Sequence, residues 1–114
     1  MTETESRKSR DGDSIREQYP SGWLALTKNG SVVRIVDALL DLPPRREFNQ
    51  TELAEQADVS RQSVSRHLEL LLAAGVIETV ENTRPQRYRF DPESDVSQAI
   101  IRLDGAMNGV GPEA

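Results

Sequence analysis

Between Ser31 and Pro44 the apolar residues Val32, Val36, Leu39 and Leu40 recur at i, i+4, i+7 and i+8, the spacing that lines one face of an α-helix. Ser31 is the expected cap of this first helix and Pro43-Pro44 its stop. Arg45-Arg46-Glu47-Phe48 reads as a short extended link. A start signal follows, in which Asn49 caps, Glu52 completes a capping box three residues later, and Phe48 and Leu53 occupy the staple positions. This predicts a second helix near residues 50–57. Asp58-Val59 then turns the chain. The arrangement repeats with Ser60 as cap and Val59 and Val64 as staple, giving a third helix that runs to about Ala74 and is closed by Gly75.

After Gly75 the period shortens to that of strands. Val76 to Glu81 and Arg87 to Phe90 are short and rich in β-branched or aromatic residues, and the polar residues Asn82 to Gln86 between them predict a hairpin. Alternation puts Arg87 and Arg89 on one face of the return strand and Tyr88 and Phe90 on the other, toward the core. Residues 93–107 place Val96, Ile100, Leu103 and Met107 on one helical stripe, and Gly109, Gly111 and Pro112 end the order, leaving 109–114 as a flexible C-terminus. Residues 1–18 hold only Ile15 as a substantial aliphatic side chain after Met1, too little to offset ordering entropy, and read as a mobile tail. One folded domain, 19–108, is expected. It begins near Tyr19, with Trp23 as a core or interface anchor, and its class is mainly α with a small β-hairpin, α+β.

Composition narrows the chemistry. The 114 residues contain no cysteine and one histidine, His67, so there is no disulfide, no thiolate metal site and no ligand set for zinc. His67 reads as a packed helix residue. The chain shows no nucleophile-base pair, glycine-rich phosphate loop or metal-ligand spacing, so no enzyme, cofactor or metal is expected. No run approaches the 18 or so apolar residues of a membrane span, and the N-terminus lacks the apolar core of a signal peptide. The expected location is cytoplasmic, without a membrane partner.

With 14 basic and 19 acidic residues the net charge is -5, which at face value argues against a nucleic-acid partner. The distribution reverses that reading. Residues 61–90 carry five basic and three acidic groups, whereas 91–114 carry one and five, so the third helix and hairpin form the positive part of an acidic chain. The basic residues are twelve Arg and two Lys, a bias that resembles the acidic, lysine-poor proteins of salt-loving archaea.

The stretch LAEQADVSRQSVSRHL, Leu53 to Leu68, has Ala54 where two helices would cross, Val59 in the turn, and Val64 and Leu68 facing inward. With VSRQSVSRHLELLLAAGVIE it resembles the winged helix-turn-helix transcription regulators over residues 31–90, closest to the MarR-like and ArsR-like branches. Asp58 stands where these usually have Gly, and Asp tolerates the left-handed conformation better than most residues.

The resemblance implies a third helix in the major groove, a hairpin wing on the backbone or minor groove, and dimerisation through terminal helices. Stepping about 100° per residue puts Gln62, Arg66 and Glu69 opposite Val64. On that polar face Arg66 suits guanine, Gln62 adenine, and Ser63 and Ser65 either phosphate or base edges, with Arg61 reinforcing a phosphate site at the helix start. Glu69 repels phosphate and fits the groove edge or a cytosine. In the wing, Arg84, flanked by Asn82, Thr83 and Gln86, is the natural contact and Arg87 the next, against a reading in which the loop is merely solvated. The stripe Val96, Ile100, Leu103, Met107 serves a homodimer or folds back on the first helix of its own subunit.

The expected function is sequence-specific binding of double-stranded DNA by a dimeric regulator. A repressor is expected, because so small a domain leaves little room for an activation module. The alternative is a winged helix used for protein contact, which predicts an apolar or acidic third-helix face.

Overall fold

The computed structural model describes residues 15–111. These fall into two compact units, one up to Val33 and one from Arg34 onward. The first contains α1 (Ile15–Gln18), α2 (Gly22–Thr27) and the opening turn of α3 (Gly30–Asp41). α1 lies inside the stretch read as a mobile tail, and residues 1–14 of that stretch lie outside the described residues. Ser21 caps α2 by accepting a hydrogen bond from the Leu24 N–H at 3.1 Å. Ala25 and Val32 are buried, but Trp23 is 61% exposed and is therefore not a core residue. The cap of α3 is Asn29, whose Oδ1 accepts from the Ser31 N–H at 2.9 Å; Ser31, expected in that role, lies inside the helix. Asn29 directly precedes the first helical residue, so its side chain satisfies a free N–H of the first turn, whereas Ser31 is already inside that turn.

The second unit contains the rest of α3, β1 (Glu47–Phe48), α4 (Gln50–Ala57), α5 (Arg61–Ala73), β2 (Ile77–Val80), β3 (Arg87–Phe90) and α6 (Asp95–Asn108). Each start and stop has a local cause. Asn49 and Glu52 form the full capping box of α4, and the staple residues Phe48 and Leu53 are buried at 3% and 1% exposure. Asp58 ends α4 at φ 58, with Val59 N–H donating to the Ala54 carbonyl and Asp58 N–H to that of Glu55. Arg34 of α3 donates to the Asp58 carbonyl at 3.3 Å, so a distant side chain holds a turn that glycine would adopt unaided. Ser60 caps α5 through the Ser63 N–H at 3.0 Å.

Gly75, at φ 80, closes α5: its N–H reaches the Leu72 carbonyl and that of Val76 the Leu71 carbonyl. A Cβ here would lie 2.9 Å from Ser94 Cβ, the cap of α6. Gly75→Ala is thus expected to lose about 1–2 kcal/mol from the left-handed backbone alone, with the displacement of Ser94 adding to it. Urea denaturation reads this directly, and an unchanged midpoint would contradict it.

The β1 pair is the element that the sequence pattern leaves as an extended link. It joins the hairpin as an edge strand in the order β1-β3-β2, antiparallel, with Glu47 opposite Arg89 and Phe48 opposite Tyr88. Ile35, Leu39, Leu53, Val64, Leu71, Val76 and Ile77 are each 2% exposed or less and form the heart of the core, with Tyr88 at 6%. Phe90 and Leu68, expected inside, are half-buried. Helices packed on a small three-stranded sheet, in the order helix, strand, helix, turn, helix, hairpin, make this an α+β winged helix-turn-helix.

Candidate nucleic-acid interface

The geometry of the interface starts with α5. Val64 and Leu71 are fully buried, whereas Arg61, Gln62, Ser65, Arg66 and Glu69 are exposed on the other side. Ser63 is half-buried and its Oγ accepts from Ser60 Oγ at 3.1 Å, which orients it toward the helix cap. The structure thus brings together Arg61, Gln62, Ser65 and Arg66 as one polar, cationic helix face. A groove of ≈ 430 Å³ lined by Gln50, Arg61, Gln62 and Ser65 runs beside it. Gln50 escaped the sequence reading. As the first residue of α4 it looked like a helix-start position, and only the packing of α4 on α5 puts it in the same groove.

His67 sits one residue past Arg66 with its Nε2 shielded and unbonded. Burial, and secondarily the Arg66 charge, hold its pKa below the ordinary 6.5. The folded state therefore prefers neutral His67. Stability is complete above 6.5, falls as pH drops below that value, and levels off beneath the folded pKa. His67→Gln is expected to flatten this part of a pH series of urea midpoints, and an unaltered slope would count against the assignment.

The wing is built around Thr83. Its Oγ1 donates to the Val80 carbonyl at 2.8 Å and accepts from the Arg87 N–H at 2.9 Å, and Gln86 Nε2 donates to the same Val80 carbonyl at 3.0 Å. This lattice presents Arg84, exposed, at the tip. Arg87, expected as the next DNA contact after Arg84, is engaged within the protein. Its Nη2 donates to the Glu47 carbonyl at 3.0 Å and to Glu52 Oε1 at 2.9 Å, and its Nε lies 3.6 Å from the Glu47 carboxylate. Arg89 similarly meets Glu78 at 2.8 Å. Among the described residues, the arginines of α5 and the wing divide into engaged ones, Arg87 and Arg89, and outward ones, Arg61, Arg66 and Arg84. The partners of Arg87 lie 35 and 40 positions away in sequence, so no local pattern announces them.

The α4 capping box shares an atom with this network. Glu52 Oε1 accepts from the Asn49 N–H at 2.9 Å as well as from Arg87. The hydrogen bond from Asn49, and then the Arg87 charge, outweigh partial burial and hold the carboxyl below its ordinary 4.5.

α6 bears the stripe Val96, Ile100, Leu103, Met107. Residues 101–110 are exposed throughout, with Leu103 at 49% and Met107 at 61%, and Ile100 is half-buried. Along the helix these apolar positions fall four, three and four residues apart, the spacing of a heptad seam, and Val110, 58% exposed, lies just past the helix end. So exposed a helix, with Gly105 in its interior, is marginal by itself in water.

Among the described residues no group of three or more His, Cys, Asp or Glu could hold a metal ion, and no helix is long and apolar enough to cross a membrane. Residues 29–80 match the family model of a helix-turn-helix domain. The match begins at the cap of α3, ends with β2, and contains α4, the Asp58 turn and α5. It supports a DNA-binding regulator in general. A search of curated proteins found no match.

Proposed function

We propose that this chain is a sequence-specific, dimeric DNA-binding repressor of the MarR-like and ArsR-like kind, whose α5 enters the major groove. The observation that carries the reading is the α5 face itself: Arg61, Gln62, Ser65 and Arg66 stand exposed behind a buried apolar side. Arg66 presents a fork suited to guanine, Gln62 an amide suited to adenine, and Ser63 and Ser65 hydroxyls for phosphate or base edges. Arg61, at the first position of α5, adds a cation to a helix N-terminus that already favours phosphate. Arg84 reaches the backbone or minor groove from the wing, and Gln50 adds a contact from the start of α4.

The α6 stripe joins two copies, which then read two half-sites about 34–36 Å apart on one face of the duplex, and bound dimers repress by occlusion. The alternative, a winged helix serving protein contact, fits an apolar or acidic α5 face less well than this cationic one. The acidic remainder of the chain keeps non-specific affinity low, as suits a high-salt cytoplasm where counterion release contributes little.

Selection of duplexes from a random library by the full chain, followed by anisotropy titration, tests the reading. A defined palindromic sequence bound well above bulk DNA is expected. Arg84→Ala is expected to weaken all duplexes to a similar degree and to lower the salt slope by about 1. Failure to enrich any sequence would contradict specific DNA binding.

A further inference from the structure

We propose that the Glu52–Arg87 pair is a brace that sets the attitude of the wing relative to α5, making Arg87 and Glu52 positioning residues for the Arg84 contact. The proposal rests on the reading of the wing as a DNA contact. Arg87 lies one residue beyond Tyr88, the last β3 residue paired with β1, and directly precedes the tip loop in space. Pairing with β1 therefore fastens the wing only as far as Tyr88, while the two wing strands stay paired with each other to Val80 and Arg87. Past that point the guanidinium continues the attachment, through the Glu47 carbonyl at 3.0 Å and Glu52 Oε1 at 2.9 Å. The Arg87 backbone N–H meanwhile holds Thr83, the centre of the tip, at 2.9 Å. One residue thus links the Arg84 loop to the capping box of α4, and α4 packs on α5.

The magnitudes favour a positional role over a stabilising one. The Arg87 and Glu52 side chains are 30% and 50% exposed, and pairs as open as this add little to stability. A planar guanidinium held at two acceptors is nonetheless geometrically restrictive. Removing it should leave the fold intact and release the wing.

Two duplexes of library-selected sequence test this, one ending at the α5 contacts and one extended under the wing. Wild type is expected to bind the longer about tenfold more tightly, through the contact of Arg84. Arg87→Met keeps the aliphatic stem and removes both guanidinium hydrogen bonds, whereas Glu52→Gln keeps the oxygen shared by the Asn49 N–H and Arg87 and removes only its charge. Arg87→Met is expected to reduce the gain to that of Arg84→Ala, and Glu52→Gln to reduce it in part, each with affinity for the short duplex and the urea midpoint within about twofold and experimental error of wild type. The double variant is expected to match Arg87→Met.

Retention of the full gain by Arg87→Met, while Arg84→Ala loses it, would overturn the brace and leave the wing contact standing. A drop on both duplexes together with a lowered midpoint would also overturn it, showing a structural role instead. Absence of any gain in wild type would overturn the brace and the wing reading together, and absence of binding to either duplex would remove the DNA reading beneath both.

Discussion

Arg66→Ala is expected to weaken binding to the selected site by about 1–3 kcal/mol, roughly five- to 150-fold, and to flatten preference at one position of each half-site. The side chain is exposed at the middle of the α5 face, and no ion pair within the described residues holds it, so its guanidinium is available to a guanine edge without breaking an internal bond. Alanine is a better helix former than arginine, and the buried side of α5 is untouched, so the fold should keep its stability. Loss without a change in urea midpoint therefore reports lost readout. Arg61→Ala makes the contrast: a phosphate partner at the helix start should lower affinity without changing preference. A library selection repeated with Arg66→Ala would show the relaxed position directly, and an unchanged selected motif would mean that α5 reads DNA through other residues.

The double variant Leu103→Asp, Met107→Asp is expected to abolish dimerisation and with it about 10²–10⁴ of affinity for a two-half-site duplex, the gain that linking two weak binders provides. Both residues are 49% and 61% exposed, so neither substitution opens a hole in the core. Two acids on a heptad seam would face two more on the partner, where desolvated like charges are strongly unfavourable. Light scattering should give twice the 12.7 kDa chain mass for wild type and the single mass for the variant. Affinity for a single half-site should hardly change. A wild type that stays monomeric at micromolar concentration would remove the dimer from the proposal and return α6 to some other partner.

Local chemistry was legible in the sequence wherever one element announces itself. Asn49 with Glu52, Ser60 and Gly75 were each readable because caps depend on residues within one turn. The α5 polar face was readable because helical periodicity alone separates Val64 from Arg66. Illegible features depend on partners remote in sequence. β1 is two residues long, too short to show alternation, and becomes a strand only because β3 pairs with it. Arg87 has the exposure pattern of any wing arginine until Glu47 and Glu52 arrive from the far side of the chain. Trp23 shows the same limit: a large aromatic predicts burial by type, and its 61% exposure reflects what surrounds it. Asn29 displaced Ser31 as the α3 cap because two good caps stood two residues apart and the pattern could not choose between them.

The central claim, that α5 reads the major groove, is tested most directly by guanine N7 methylation protection on a library-selected duplex saturated with protein. Wild type is expected to protect guanines in two major-groove clusters about 10 base pairs apart, and Arg66→Ala, bound to saturation, to lose protection at one guanine in each. Saturating binding that leaves every major-groove N7 reactive, or protection that Arg66→Ala leaves unchanged, would contradict it.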